Sequence, residues 1–222
     1  MSTPLSALPG QRSVEGRRAA SKDRTRQQIM ATAKHLFSTF GYERTTIRQI
    51  AAEARLSTGA VFASFAGKSD LFLALVIEDR VAAYEIVGET LRERLEDPAA
   101  EVEEVLKAMF ESAYRCRAEN VPFIQVAMSA AWSTDLGPAM RKVLANWPIS
   151  DHISRALEAA VDRGQISPDA DVPLLSQMLW DCALGMIPHA VFDGWSADQL
   201  GGQLCDKVRT ILAGSRPQAA LR

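Results

Sequence analysis

The 222-residue sequence predicts an all-α chain with a small helical module in front and a larger helical domain behind. Three observations carry that prediction. Apolar residues recur at helical spacing nearly from end to end, with no sustained period-2 alternation bounded by hairpin signals. Capping patterns divide the periodic stretches into short front helices and longer rear ones. The charge divides as well: residues 1–70 hold eleven Lys and Arg against five Asp and Glu, whereas residues 71–222 hold fourteen against twenty-two.

Residues 1–21, rich in Ser, Pro, Gly and Arg without periodicity, read as a flexible basic arm. Residues 22–68 form the front module. Its first helix is expected over residues 22–40, where Ile29, Ala33, Leu36, Phe37 and Phe40 share a face and Gly41 supplies a left-handed C-terminal cap. Thr46 opens the second helix, Gln49 completes a capping box, and Ile47, Ile50, Ala51 and Ala54 form the apolar face. Ser57 caps a third helix that buries Val61 and Phe65. Lys68 and Ser69 start a long fourth helix, with Leu71, Phe72, Leu75, Val76, Val81, Ile86 and Leu91 as its apolar stripe.

The rear domain covers residues 69–214, with 215–222 as a tail. Asp97-Pro98 pairs a capping carboxylate with a proline suited to a first helical position, so a helix is expected from there to about Ala118. Residues 122–134 carry no charge, which predicts a helix buried on most sides. A helical stretch over 138–163 is broken at Pro148 and closed by Gly164. Another runs from Asp171 to about Ala190, with Asp181 its only internal charge. Ser196 and Gln199 form a second capping box, opening a last helix that stops at Gly214.

In the front module, a positioning helix over 47–54, a tight turn and a recognition helix over 58–65 follow in the order of a helix-turn-helix. That motif lays its second helix in the DNA major groove. The basic balance of the front suits a polyanion. Thr58, Gly59, Ala60, Ala63 and Ser64 are small enough to let the helix backbone sit deep, yet none makes the bidentate base contacts of Arg, Asn or Gln. Arg48 is the local candidate for a guanine contact; the alternative is an ordinary phosphate or solvent arginine. Lys68, at a helix start that attracts anions, is a candidate phosphate contact, and Thr46 either adds one or simply caps. Arg12, Arg17, Arg18, Lys22, Arg24 and Arg26, read together as the basic residues of the arm, either raise nonspecific affinity or reach the minor groove.

The succession Phe37, Gly41, Tyr42, then Thr45, Thr46, Ile47, Ile50, Ala51, then Ser57, Gly59, Phe62, Phe65, Lys68, Leu71 resembles the TetR family of bacterial transcriptional regulators. The resemblance covers about fifty residues. It implies an all-α homodimer, a three-helix DNA-binding module and a divergent effector-binding and dimerisation domain. It also implies that Thr46, Arg48, Thr58, Gly59, Ala60, Phe62, Ala63, Ser64 and Lys68 touch DNA. The chain departs from the family pattern twice. Arg55 stands where the family usually has a turn glycine, at a cost on the order of 1 kcal/mol if the position is left-handed. Phe62 stands where the family favours Tyr, which removes one phenolic hydrogen bond to phosphate.

The resemblance places an effector pocket among the middle helices. Tyr84, Phe110, Tyr114, Phe123, Met128, Trp132, Met140 and Trp147 are the bulky residues that suit an apolar, planar ligand, although each is also explained as plain core. Leu175, Met178, Leu179 and Met186, with Leu204, Val208 and Ile211 of the last helix, are expected at a homodimer interface. The alternative is that these helices close the monomer's own core. Cys116, Cys182 and Cys205 are widely spaced without a CxxC pair, so neither a disulfide framework nor a zinc site is expected. There is no HExxH, GxSxG, P-loop or GxGxxG, and His35, His152 and His189 lie far apart. No catalytic residue, metal or cofactor is therefore expected. The absence of a signal-peptide core or an apolar run of membrane-spanning length predicts a cytoplasmic protein with no membrane partner.

The function these features predict is a ligand-responsive, dimeric DNA-binding transcriptional regulator. It would act as a repressor, released from an imperfectly palindromic double-stranded DNA operator by a small apolar or aromatic effector. The alternatives are a helical ligand-binding or scaffold protein with weak or lost DNA affinity, and an all-α enzyme.

Overall fold

The computed structural model describes residues 9–118, 120–133, 136–145 and 149–217. Among them are ten helices and no strand: α1 (Pro9–Phe40), α2 (Ile47–Glu53), α3 (Thr58–Phe62), α4 (Lys68–Leu95), α5 (Val102–Ala118), α6 (Val121–Ala131), α7 (Gly137–Ala145), α8 (Ile149–Asp162), α9 (Val172–Phe192) and α10 (Ala197–Ala213). The chain divides into two compact units, Met1–Leu75 and Val76–Arg222, and α4 supplies residues to both.

In the front unit, α1 begins at Pro9, so residues 9–21 are helical where the sequence predicted a structureless arm. Proline pre-sets the first-turn φ, and Glu15, Arg17, Arg18, Ala19 and Ala20 are strong helix formers, which outweighs the local Ser and Gly. The helix ends as expected, with Gly41 at φ 81°. Thr45 is buried, and its hydroxyl donates to the Gly41 carbonyl at 2.8 Å, tying the chain that leads into α2. Both expected caps are present: the Thr46–Gln49 capping box on α2, and the Ser57 hydroxyl accepting from the Ala60 amide on α3.

The turn after α2 closes in a Schellman arrangement. The Leu56 amide donates to Ala51 at 2.8 Å and the Arg55 amide to Ala52 at 3.0 Å. Arg55 occupies the left-handed position at φ 54°, the one non-glycine residue with positive φ among the described residues. Arginine there costs on the order of 1 kcal/mol relative to glycine, and the turn is formed nonetheless.

The rear unit is built around the buried residues of α5, α8, α9 and α10, with α10 against α5 and α9, and α8 against α9 and α5. Helix α5 starts at Val102 instead of at Asp97-Pro98. The Asp97 carboxylate accepts from the Ala99 amide at 2.9 Å and closes a local turn, while the Val102 amide finds the Gln165 side chain at 2.9 Å. Gly164 closes α8 at φ 71°, and Ser196 with Gln199 caps α10 as expected. Val81 and Ile86, assigned by periodicity to the apolar stripe of α4, are exposed.

The residues expected at a homodimer interface fall in two environments. Leu175, Leu179, Met186, Leu204 and Val208 are buried in this chain's own core, because α9 and α10 pack on α5 and α8 through those positions. Ile211 is half-buried against the same core. Met178 alone of the set is exposed, on a face of α9 that also presents Leu174 and Phe192.

His152 of α8 is buried against α4, its ring stacked on Tyr84 with centroids 4.1 Å apart and its Nε2 3.1 Å from the Tyr84 carbonyl. Gly88 makes room for it, since a Cβ there would lie 2.9 Å from Nε2. Burial lowers the His152 pKa below the usual 6.5, the Tyr84 carbonyl opposes this, and Arg155 adds to the lowering. The imidazole is therefore folded neutral, and its contribution to stability is complete above the unfolded value. As the pH drops through 6.5 towards the folded pKa, the unfolded chain takes up a proton that the folded chain does not, and stability falls. Thermal unfolding followed from neutral to mildly acidic pH should show a steeper loss for the parent than for His152→Phe. Parallel pH profiles would remove His152 as the cause.

Candidate functional site

The recognition surface is set by which side of α3 is anchored. Val61 and Phe65 are buried, which turns Thr58, Gly59, Phe62 and Ala63 outward, with Ala60 and Ser64 half-buried beside them. Phe62 is 57% exposed, a large apolar ring in contact with solvent. Helix α3 ends at Phe62, shorter than the expected 58–65, and Ala63 and Ser64 form its closing turn. Arg48 is exposed on α2. Thr46 is exposed, but its hydroxyl is engaged: it donates to Gln49 Oε1 at 2.9 Å and accepts from the Gln49 amide at 3.2 Å. Thr46 is thus a cap in this structure.

Lys68 is anchored on the front module itself. Its ammonium donates to the Tyr42 carbonyl at 3.1 Å, approaches the Glu43 carbonyl at 3.4 Å, and lies 4.2 Å from the Tyr42 ring centre. It clamps the segment between α1 and α2. The start of α4 is also met by a carboxylate, since Asp70 stands in its first turn and accepts from the Ala66 amide at 2.9 Å.

Two positioning contacts were not legible in the sequence. Arg26, assigned there to the arm, donates to the Ser64 carbonyl at 2.9 Å and covers the Phe65 ring at 4.1 Å, holding the C-terminal end of α3. Gln28 donates to the Ala54 carbonyl at 2.8 Å and does the same for α2. No local pattern marks them, because the partners are 38 and 26 residues away.

In the rear unit, a cavity of about 350 Å³ opens among α4, α5, α6, α7 and α9. Phe123, Met128, Trp132 and Met140 line it as expected. Trp132 is 90% exposed. Phe110 and Tyr114 do not line this cavity. They border a much smaller neighbouring void, and the Tyr114 hydroxyl donates to the Ala183 carbonyl at 2.9 Å. Tyr84 is turned away to His152, and Trp147 lies outside the described residues. Helix α6, expected to be buried on most sides, buries only Phe123, Ile124 and Ala130, because much of its remaining surface faces this cavity or solvent.

Three polar residues on the cavity wall escaped the sequence reading: Asp79, Arg80 and Arg117. Asp79 and Arg117 form a nearly buried ion pair at 3.7 Å, joining α4 to α5. Arg80 is 6% exposed, and burial, reinforced by the charge of Arg117 and opposed by Asp79, lowers its pKa to about 9. Burial lowers the Arg117 pKa as well, against the attraction of Asp79. The available signal was Asp79-Arg80 inside the apolar stripe of α4.

No group of side chains suited to a metal ion occurs among the described residues, and no helix there is long and apolar enough to cross a membrane.

Residues 29–75 match the model of the tetR family of bacterial regulatory proteins. The HTH-type transcriptional repressor AcnR of Corynebacterium glutamicum is 29% identical over 157 residues, covering 70% of this chain and 76% of the repressor. The HTH-type transcriptional regulator UidR of Escherichia coli is 24% identical over 165 residues, covering 73% and 80%. Among solved structures, the triclosan complex of SmeT, repressor of a Stenotrophomonas maltophilia multidrug efflux pump, superposes with a TM-score of 0.69. It is 22% identical, with 84% of this chain and 90% of that chain covered, a likeness of fold.

Proposed function

We propose that this chain, whose residues 29–75 match the tetR family model, is a TetR-family homodimeric repressor released from its operator by a small apolar or aromatic effector. Members of this family are regulators, not enzymes. The observation that carries the reading is the outward face of α3. Small residues and an exposed Phe62 leave the helix free to enter a major groove, while Val61 and Phe65 hold it from behind. In the dimer, two such helices related by a twofold axis meet an imperfect palindrome at roughly 34–36 Å or a multiple of it. The exposed face of α9, with Leu174, Met178 and Phe192, is the surface offered to the second copy. The cavity bordered by Phe123, Met128, Trp132 and Met140 is the effector site, and the resemblance to a repressor solved with triclosan supports an aromatic ligand.

Binding to the DNA upstream of the chain's own coding region, measured at stated salt, tests the reading, and sedimentation tests the dimer. A monomeric chain that binds operator and random DNA equally at every salt concentration refutes it. Within the interface, Arg48→Ala should cost about 1–3 kcal/mol against the preferred site and should relax discrimination, because no long polar side chain on α3 shares that task. Operator variants altered at each G·C pair give the check. Equal losses on all of them reassign Arg48 to the phosphate backbone.

A further inference from the structure

The outward face of α3 is poor in hydrogen-bonding groups. Of the three hydroxyls between residues 57 and 64, two are turned to the segment's own backbone. Ser57 accepts from the Ala60 amide at 3.1 Å, and Ser64 donates to the Ala60 carbonyl at 3.4 Å. What faces outward is mostly carbon: Thr58, Ala63 and the Phe62 ring are exposed, with Ala60 half-buried beside them. Phe62 has no hydroxyl with which to meet a phosphate. Gly59 adds an independent sign that another molecule comes close. Glycine is a poor helix former, and the fold does not need one here. Its φ is not positive, and a Cβ would meet the Ser57 Oγ at 3.7 Å, an ordinary contact. A glycine that the chain's own packing does not require suits a close approach of the helix backbone to a partner.

In the major groove the C5-methyl of thymine is the one apolar group that a base edge offers, and the rest are hydrogen-bond donors and acceptors. A carbon surface pressed on those polar edges removes their water without replacing its hydrogen bonds. Pressed on a methyl group, the same surface gains by burial. The face therefore discriminates both by attraction to thymine and by exclusion of the other edges. We infer that α3 reads its operator through thymine methyl groups, with Thr58 and Phe62 as specificity-determining residues and Gly59 as the point of closest approach. This rests on the chain being an operator-binding regulator, and it divides the readout: a guanine contact falls to Arg48 on α2, methyl contacts to α3.

In the test, the full chain selects its preferred sequence from a pool of random duplexes, and affinity for the enriched duplex is measured by fluorescence anisotropy at fixed salt. Each thymine is then replaced in turn by deoxyuridine, which removes the methyl group and leaves base pairing unchanged. One or more thymines in each half-site should show a loss of about fourfold, the worth of one buried methyl-sized group converted to affinity. Changing such a T·A pair to C·G should cost more, and 5-methylcytosine at that position should recover about fourfold. Phe62→Ala or Thr58→Ser, the latter deleting a methyl but keeping the hydroxyl, should erase the deoxyuridine penalty at one thymine and leave the others. Both side chains are exposed, circular dichroism melting establishes that each variant is folded, and either variant alone keeps the test decisive. Gly59→Ala should melt no lower than the parent yet bind the enriched duplex at least about tenfold more weakly; parental affinity overturns the close approach. The inference is overturned if no thymine shows a deoxyuridine penalty, or if every penalty survives in both folded variants. Enrichment of a sequence without methyl dependence defeats this inference alone. Enrichment of no sequence defeats the operator-binding reading, and this inference with it.

Discussion

Phe37→Ala should unfold the DNA-binding module and abolish operator binding while leaving the rear unit folded. Phe37 is completely buried, stacks on Tyr42 at 5.7 Å and meets Phe72 edge-on at 5.1 Å, and Tyr42 and Phe72 are themselves 4.9 Å apart. Truncating such a ring costs about 3–5 kcal/mol, comparable with what the whole core of a domain below about 80 residues supplies. The effect is large because the one ring joins the end of α1, the segment after it and the start of α4. All four tryptophans lie beyond residue 76, so their fluorescence reports the rear unit, whereas far-ultraviolet circular dichroism reports helices of both. The expected result is loss of the front unit's share of the dichroism with an unmoved tryptophan transition. A variant that binds operator with parental affinity would show that the aromatic cluster does not hold the reading head.

Lys68→Met should weaken DNA binding at least about tenfold and also destabilise the front unit. Methionine keeps the stem packed but deletes the ammonium that donates to Tyr42 and lies over its ring. A charge-assisted hydrogen bond of this kind is worth about 1.5–3 kcal/mol, so a Tm lower by several degrees is expected. If the remaining donor of the ammonium also meets a phosphate in the complex, the salt dependence of binding drops by about one unit per subunit. Affinity lost at an unchanged salt slope assigns Lys68 to clamping alone. An unchanged Tm would mean that the contacts to Tyr42 and Glu43 contribute nothing to folding.

The contrast between these two residues shows where sequence reasoning reached and where it stopped. Phe37 was legible as core because it lies in register with Ile29, Ala33 and Leu36 on one helical face. Lys68 was legible as important through the resemblance, but its present partners are 26 and 25 residues away, and spacing does not reveal them. The same holds for Arg26, which reads as one more basic residue of the arm and turns out to hold the end of α3. In the rear unit, apolar bulk identified Phe123, Met128, Trp132 and Met140 on the cavity wall. It missed Asp79, Arg80 and Arg117, because a charged residue on a helix is ordinarily solvated and only the packing of several helices removes these from water.

By itself the sequence determined the helical class, the two capping boxes, the helix-ending glycines Gly41 and Gly164, and the presence of a helix-turn-helix. Each of these depends on atoms within a turn or two of chain, where spacing and residue type are sufficient physics. Only the tertiary structure decided that Leu179, Leu204 and Val208 are spent on the chain's own core, that Met178 is not, and that two arginines and an aspartate share the wall of an apolar cavity. An amphipathic helix specifies that a face must be buried without specifying against what. The neighbour is chosen by the competition of all helices for the same buried surface.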